Sequence, residues 1–300
     1  MKKTLWSHDF IIITLGTLIS AIGSTAMSFA LSLVVFDHTS STLMTGIFTA
    51  ISLMPTVLIP ILAAPLVDGC CRKRLIVMLD SGNGILYLLF AAFLLMQEFS
   101  YAGYLIFSLL TASFGAIYSL AYSSLYPDLI PKGFAQRGYS VSSLIYPSVT
   151  ALFTPVASLL YVHLGIAWIC AMEGILLLTA ALFEARIRYQ ETIGKRVFTL
   201  QKYKGDLMDG FRYLKKEKGI RSIYGYMAVT NASAEGINLV TMAMFQSSPI
   251  LTTTMYAFLT TADTIGRMAG GLMHYVLHIP AKKRYRVAVS VYAVYELSLI

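Results

Sequence analysis

The chain has 300 residues, of which 57% are hydrophobic and only 13% charged, and its mean hydropathy is +0.69. Soluble domains run at about 45–50% and about 25%, so a soluble globule is excluded, and so is a disordered, collagenous or coiled-coil chain. The net charge of +8 does not indicate nucleic acid, because the basic residues lie in short loops between apolar runs. At about 20 apolar residues per helical pass, the length holds roughly nine to eleven membrane spans.

Lys2 and Lys3 precede an apolar run at 10–36, which is too long for the core of a cleavable leader. That run is span 1, at 9–36. Spans 2, 3 and 4 follow at 42–67, 75–97 and 101–124, and spans 5 and 6 at 138–162 and 165–186. A polar stretch comes next, then spans 7 and 8 at 220–246 and 251–278, and span 9 starts near Val287. Helices are expected throughout, since each pass must satisfy its own backbone hydrogen bonds in hydrocarbon. Alternating ten-residue strands, the mark of a barrel, are not seen. The three cysteines form no disulfide framework or metal spacing: Cys70 and Cys71 adjoin in a basic loop, and Cys170 sits in an apolar run.

The basic residues fix an orientation. Arg72, Lys73 and Arg74 lie between spans 2 and 3, and Lys132 and Arg137 between 4 and 5. The cluster from Arg186 to Arg221 lies between 6 and 7, and Lys282, Lys283, Arg284 and Arg286 between 8 and 9. The alternate loops carry no Lys or Arg, and only Arg267 falls inside a span. By the positive-inside rule, the N-terminus and the 6–7 loop are expected in the cytoplasm. The last segment, 287–300, makes only ~21 Å of helix against ~30 Å of hydrocarbon, so the chain is expected to be a C-terminally truncated piece of a longer protein. A weak internal repeat supports this. Leu66 and Leu272 each end a span before a basic loop, 206 residues apart, as two six-span halves would require.

Four stretches then carry a family resemblance: 16–24 (GTLISAIGS) followed by 36–40 (FDHTS); 64–74 (APLVDGCCRKR); 126–131 (YPDLIP); and 206–214 (DLMDGFRYL). Together they resemble the major facilitator superfamily, and within it the macrolide-efflux and enterobactin-exporter-like branch. In the loop motif Leu66, Asp68, Arg72 and Lys73 fit the family pattern, while Ala64, Gly69 and Cys71 depart from it. The span 5 stretch keeps Pro155 but lacks the glycines common in antiporters.

The resemblance implies an all-α major facilitator fold of about nine transmembrane helices: a six-helix N-terminal half plus the first helices of the C-terminal half. The divisions are 1–188, a central loop at 189–219 and an incomplete bundle at 220–300. It implies that Asp68 and Arg72 latch the cytoplasmic ends, with Lys73, and that Asp80 meets the basic residues of the loop motif. Arg72, Lys73 and Arg74 are topology anchors as well. It also implies a monomer in a bacterial plasma membrane that exports a drug-like or siderophore-like molecule, driven by protons, without a cofactor.

Charges at membrane depth are costly and usually face a cavity or the bundle interior. Besides Asp80 these are Glu173, Glu235, Asp263, Arg267 and Glu296. Asp263 and Arg267 are four apart and can pair, beside a small-residue stripe of Ala262, Gly266 and Gly270 suited to close helix approach. The pair is either self-neutralised and structural or a charge relay at the cavity. Glu235 is the best lone acid for proton coupling, with a structural hydrogen bond as the other reading.

His274 and His278 have helical spacing but no third ligand, which favours headgroup contact over metal. In the central loop Leu207, Met208, Phe211 and Leu214 mark an amphipathic helix for the membrane surface. No catalytic set, no nucleotide-binding loop and no repeated filter is present, so an enzyme, a pump driven by ATP and a channel are all disfavoured. The reading is a secondary transporter. A truncated, non-transporting membrane protein with a structural or partner-binding role is the alternative.

Overall fold

The computed structural model describes residues 4–96, 99–191, 200–247 and 253–277, with 280, 283, 286, 287 and 289–291 beyond them. Among the described residues eight helices run in chain order: α1 (His8–Thr39), α2 (Thr42–Val67), α3 (Arg72–Met96), α4 (Tyr101–Leu129), α5 (Ala135–Glu184), α6 (Leu200–Lys216), α7 (Lys218–Ser247) and α8 (Thr253–Val276). No strand occurs among the described residues. Serine caps the first, second and fourth: Ser7, Ser41 and Ser100 each accept a hydrogen bond from the backbone N–H three residues on.

The first five helices are long and apolar enough to cross a membrane. Of these α5 is 50 residues long, twice what one pass needs, and it is broken at Gly165, where φ is +76°. Glycine suits that positive φ because it has no Cβ to clash with the backbone. The break falls at the predicted junction of spans 5 and 6, so α5 comprises both. Outward faces carry Leu43, Leu89, Leu95, Leu152 and Leu182, all exposed. An apolar exterior of this extent suits lipid, not water.

Inside, the bundle packs in two main clusters. One joins Met27, Val34, Phe48, Phe90, Phe107 and Ile169. The other joins Phe10, Ile13, Val67, Ile76, Leu125 and Ile187. Helices α3 and α5 cross at Gly84 and Gly174, each set against the other's backbone carbonyl. A Cβ on Gly84 would lie 2.9 Å from the Gly174 oxygen, and one on Gly174 would lie 2.8 Å from the Gly84 oxygen. Without a strong hydrophobic drive between helices in lipid, such backbone-level contact is how membrane helices adhere.

Two sequence readings shift at this level. Span 4 was expected to end near 124 but α4 continues to Leu129, through Pro127, because hydropathy marks the edge of hydrocarbon and not the last helical hydrogen bond. The stripe of Ala262, Gly266 and Gly270 admits no close neighbour among the described residues: a Cβ on either glycine would meet open space. Gly271 makes the contact instead, against Leu144 of α5. It lies a residue further round α8, on the face that meets α5.

Candidate functional site

Helices α1, α3, α4 and α5, with Thr56 of α2, line a cavity of about 620 Å³, within the usual range for small-molecule sites. Its wall is unusually polar for the inside of an apolar bundle. Ser20 and Ser24 come from α1, Asp80 and Asn83 from α3, Thr111 and Tyr118 from α4, and Tyr146 and Glu173 from α5.

Two carboxylates dominate it. Asp80 is 5% exposed and Glu173 is 2% exposed. Asp80 Oδ2, Glu173 Oε2, Ser20 Oγ and Asn83 Oδ1 are all buried without a hydrogen-bond partner among the described residues. Buried polar atoms are nearly always satisfied, so four such atoms on one cavity wall call for an explanation. A third acid lies close by. Glu184 is fully buried, and its Oε1 accepts a 2.6 Å hydrogen bond from the Tyr118 hydroxyl. No Lys or Arg occurs in residues 4–71, 75–131 or 138–185, which supply these walls.

The sequence makes room for these groups locally. Glu173 and Glu184 are eleven residues apart, three helical turns, and share one face of α5. Opposite them α1 carries Gly16 and Gly23, two turns apart. A Cβ on Gly23 would overlap the Glu173 carboxylate, and one on Gly16 would lie 3.3 Å from Glu184 Cγ. The two glycines are notches for the two acids. Tyr118, Tyr122 and Tyr126 stack along α4 with ring centroids 5.9 and 5.3 Å apart, and Thr17 of α1 donates to the Tyr122 hydroxyl at 3.0 Å.

A second network ties the helix ends at the basic loops. Arg72 meets Asp68 at 3.8 Å and Asp128 at 3.7 Å, and donates to the Ser124 carbonyl at 3.4 Å. Lys73 Nζ donates to the Ile187 carbonyl. Glu191 caps α3, accepting from the backbone N–H of Arg72 at 3.0 Å and of Lys73 at 2.7 Å. An anion is favoured there by the unpaired N–H groups and the helix dipole. The Arg188 backbone N–H donates to Asp9 Oδ1 at 2.8 Å, which brings in the start of α1. Glu191→Ala is expected to destabilise the protein by about 1–2 kcal/mol, read as a lower Tm in detergent, with Glu191→Gln losing less. An unchanged Tm for the alanine variant would contradict the capping role.

The remaining predicted residues fall as follows. Asp80 lies eight residues beyond Arg72 on α3, about 12 Å along the axis, and joins the cavity wall, while the ion pairs of Arg72 go to Asp68 and Asp128. Asp263 and Arg267 pair on α8, with 2.8 Å between Oδ2 and Nη2, on an exposed face. Glu235 is on α7, and its side chain lies outside the described residues, as does Glu296 entirely. His274 meets Ser140 Oγ at 2.6 Å, and Gln136 donates to the His274 and Leu277 carbonyls at 2.9 and 2.6 Å. That histidine is therefore part of the α5–α8 seam, not a headgroup contact, and His278 lies outside the described residues. The predicted amphipathic helix forms as α6, where Tyr203 donates to the Leu62 carbonyl of α2 at 2.8 Å.

Apolar spans thus surround a cavity with polar and acidic groups in its wall, and basic residues are knotted at one end of the bundle. The chain belongs to the Major Facilitator Superfamily, whose sequence profile matches residues 13–300. It is accordingly an integral membrane protein and a secondary transporter of a small-molecule substrate. No curated protein and no solved structure matches it.

Proposed function

We propose that the protein is a proton-driven exporter of drug-like molecules, of the macrolide-efflux and enterobactin-exporter-like branch, working as a monomer in a bacterial plasma membrane. Its N-terminus and basic loops face the cytoplasm. A six-helix half at 1–188 is joined through the 189–219 loop to a second half that starts at 220. Substrate enters the cavity lined by α1, α3, α4 and α5 of the first half, and rocking of the two halves exposes it to each side in turn.

The observation that carries this reading is the pair of acids in the cavity wall, Asp80 and Glu173, each with one buried oxygen that has no hydrogen-bond partner among the described residues. An acid buried in lipid without a counter-charge is expensive to keep, and a proton or a substrate group arriving from either side relieves it. Glu173 carries the coupling proton. The Arg72 knot and the Asp68 carboxylate beside it gate the cytoplasmic end, and the Asp263–Arg267 pair is structural.

Accumulation of a macrolide and of a catecholate siderophore in producing cells tests the proposal. Accumulation of at least one is expected to fall several-fold below that of non-producing cells, and a protonophore is expected to restore it. Equal accumulation of every compound with and without the protein would refute export.

A further inference from the structure

We propose that α6 is an anchor for anionic phospholipid headgroups, held to them along one edge by Lys204 and Lys215. The inference stands apart from any reading of the cavity. Three observations carry it: where α6 sits, which of its sides α2 covers, and how its charges are paired.

Helix α6 packs on α2, and Tyr203 donates its hydroxyl to the Leu62 carbonyl at 2.8 Å. Leu62 lies five residues before the end of α2 at Val67, about 7.5 Å along the axis. Helix α6 therefore lies beside the last turns of an apolar span, not out beyond them. Leu62 and Leu66 are exposed there, as on a surface that faces hydrocarbon. That depth is the boundary between acyl chains and headgroups, where an amphipathic helix settles.

Tyr203 and Leu207 are half-buried, on the side of α6 that meets α2. About a quarter-turn round the helix come Lys204, Met208 and Lys215, which share an edge by the 3.6-residue period. Met208 is 54% exposed, and both lysines are exposed. Among the described residues no carboxylate pairs with Lys204 or Lys215, whereas Arg212 is held by Asp209 at 3.2 Å. An exposed methionine between two lysines suits the boundary: the apolar chain enters, and the ammonium groups stay at the phosphates. Basic residues outnumber acidic ones on α6 by five to two, so the surface it favours is negative. A zwitterionic surface would accept Met208 but leave the lysines without a net counter-charge.

The full chain in vesicles, with a bimane label on Met208→Cys, tests the proposal. Cys70→Ser and Cys71→Ser keep the label to that position, and Cys170 is buried. One set of vesicles is phosphatidylcholine alone, the other an equal mixture with phosphatidylglycerol. Acrylamide, an uncharged quencher, is expected to quench the label several-fold less in the mixed vesicles. Lys204→Glu together with Lys215→Glu is expected to remove that difference, and so is high salt, which screens headgroup charge. Lys216→Glu, also at an exposed position but about 100° further round the helix, is expected to keep it. Equal quenching of the labelled parent in the two lipids would overturn the proposal. So would a Lys216→Glu variant that loses the protection as fully as the double variant, because the attraction would then follow net charge and not this edge.

Discussion

Gly84→Leu leaves no monodisperse protein to purify. Gly84 and Gly174 hold α3 and α5 at backbone contact: a Cβ on either would lie under 3.0 Å from the other's carbonyl oxygen. On both sides the obstacle includes main chain, which cannot rotate aside, as well as a leucine side chain, Leu178 against Gly84 and Leu88 against Gly174. A leucine must therefore force the helices apart along the whole crossing. That crossing also presents Asp80 and Glu173 to the cavity, four residues before Gly84 and one before Gly174.

Ordinary overpacking of a core costs about 1–3 kcal/mol, and separating two backbones exceeds it, because every contact nearby is lost together. Gly84→Ala sits on the same gradient with a smaller loss. Gly46→Leu is the control: a Cβ on Gly46 meets nothing within 4 Å, so that variant should elute and melt like the parent. Size-exclusion profiles of the three variants decide the matter. A normal profile for Gly84→Leu would show that the α3–α5 contact does not hold the bundle together.

Glu173→Gln has the opposite character: the fold survives and coupling is lost. Glutamine fills the same space opposite Gly23 but cannot gain or lose a proton. If Glu173 carries the coupling proton, the variant loses the step that links substrate movement to the gradient. In everted vesicles the parent protein should accumulate substrate only under an imposed pH gradient. The variant's accumulation should fall at least tenfold, and what remains should be indifferent to a protonophore. An unaltered response to the gradient would remove Glu173 from the coupling mechanism.

Much of this architecture was readable from the residues, and what was not has physical causes. Apolar run length placed the spans, because hydrocarbon thickness dictates it. The junction near 162–165 stood out because a polar patch interrupts one long apolar segment, and Gly165 bends the backbone there. The cavity was less legible. Glu173 was marked as a charge at membrane depth, but Asp80 was assigned to the loop motif, since both lie near the same end of α3. What separates Asp80 from Arg72 is eight residues along α3, about 12 Å, which places Asp80 in the cavity wall.

Glu184 was missed because it sits two residues before Arg186, at the very end of span 6, where a charge reads as interfacial. The eleven-residue spacing from Glu173, together with the Gly16 and Gly23 notches, was the available signal. Glu191 was missed for a different reason: a carboxylate capping a helix that starts over a hundred residues earlier in the chain leaves no local pattern. The Tyr118, Tyr122 and Tyr126 ladder was visible at four-residue spacing, but its partner Thr17 was not.

The most direct test of the central claim is whether substrate and proton compete for the same carboxylates. An exported macrolide or catecholate siderophore added to the purified protein in weakly buffered detergent should acidify the solution as the substrate displaces protons. Asp80→Asn together with Glu173→Gln should abolish the signal. Saturable substrate binding with no proton release would contradict a shared site for substrate and proton.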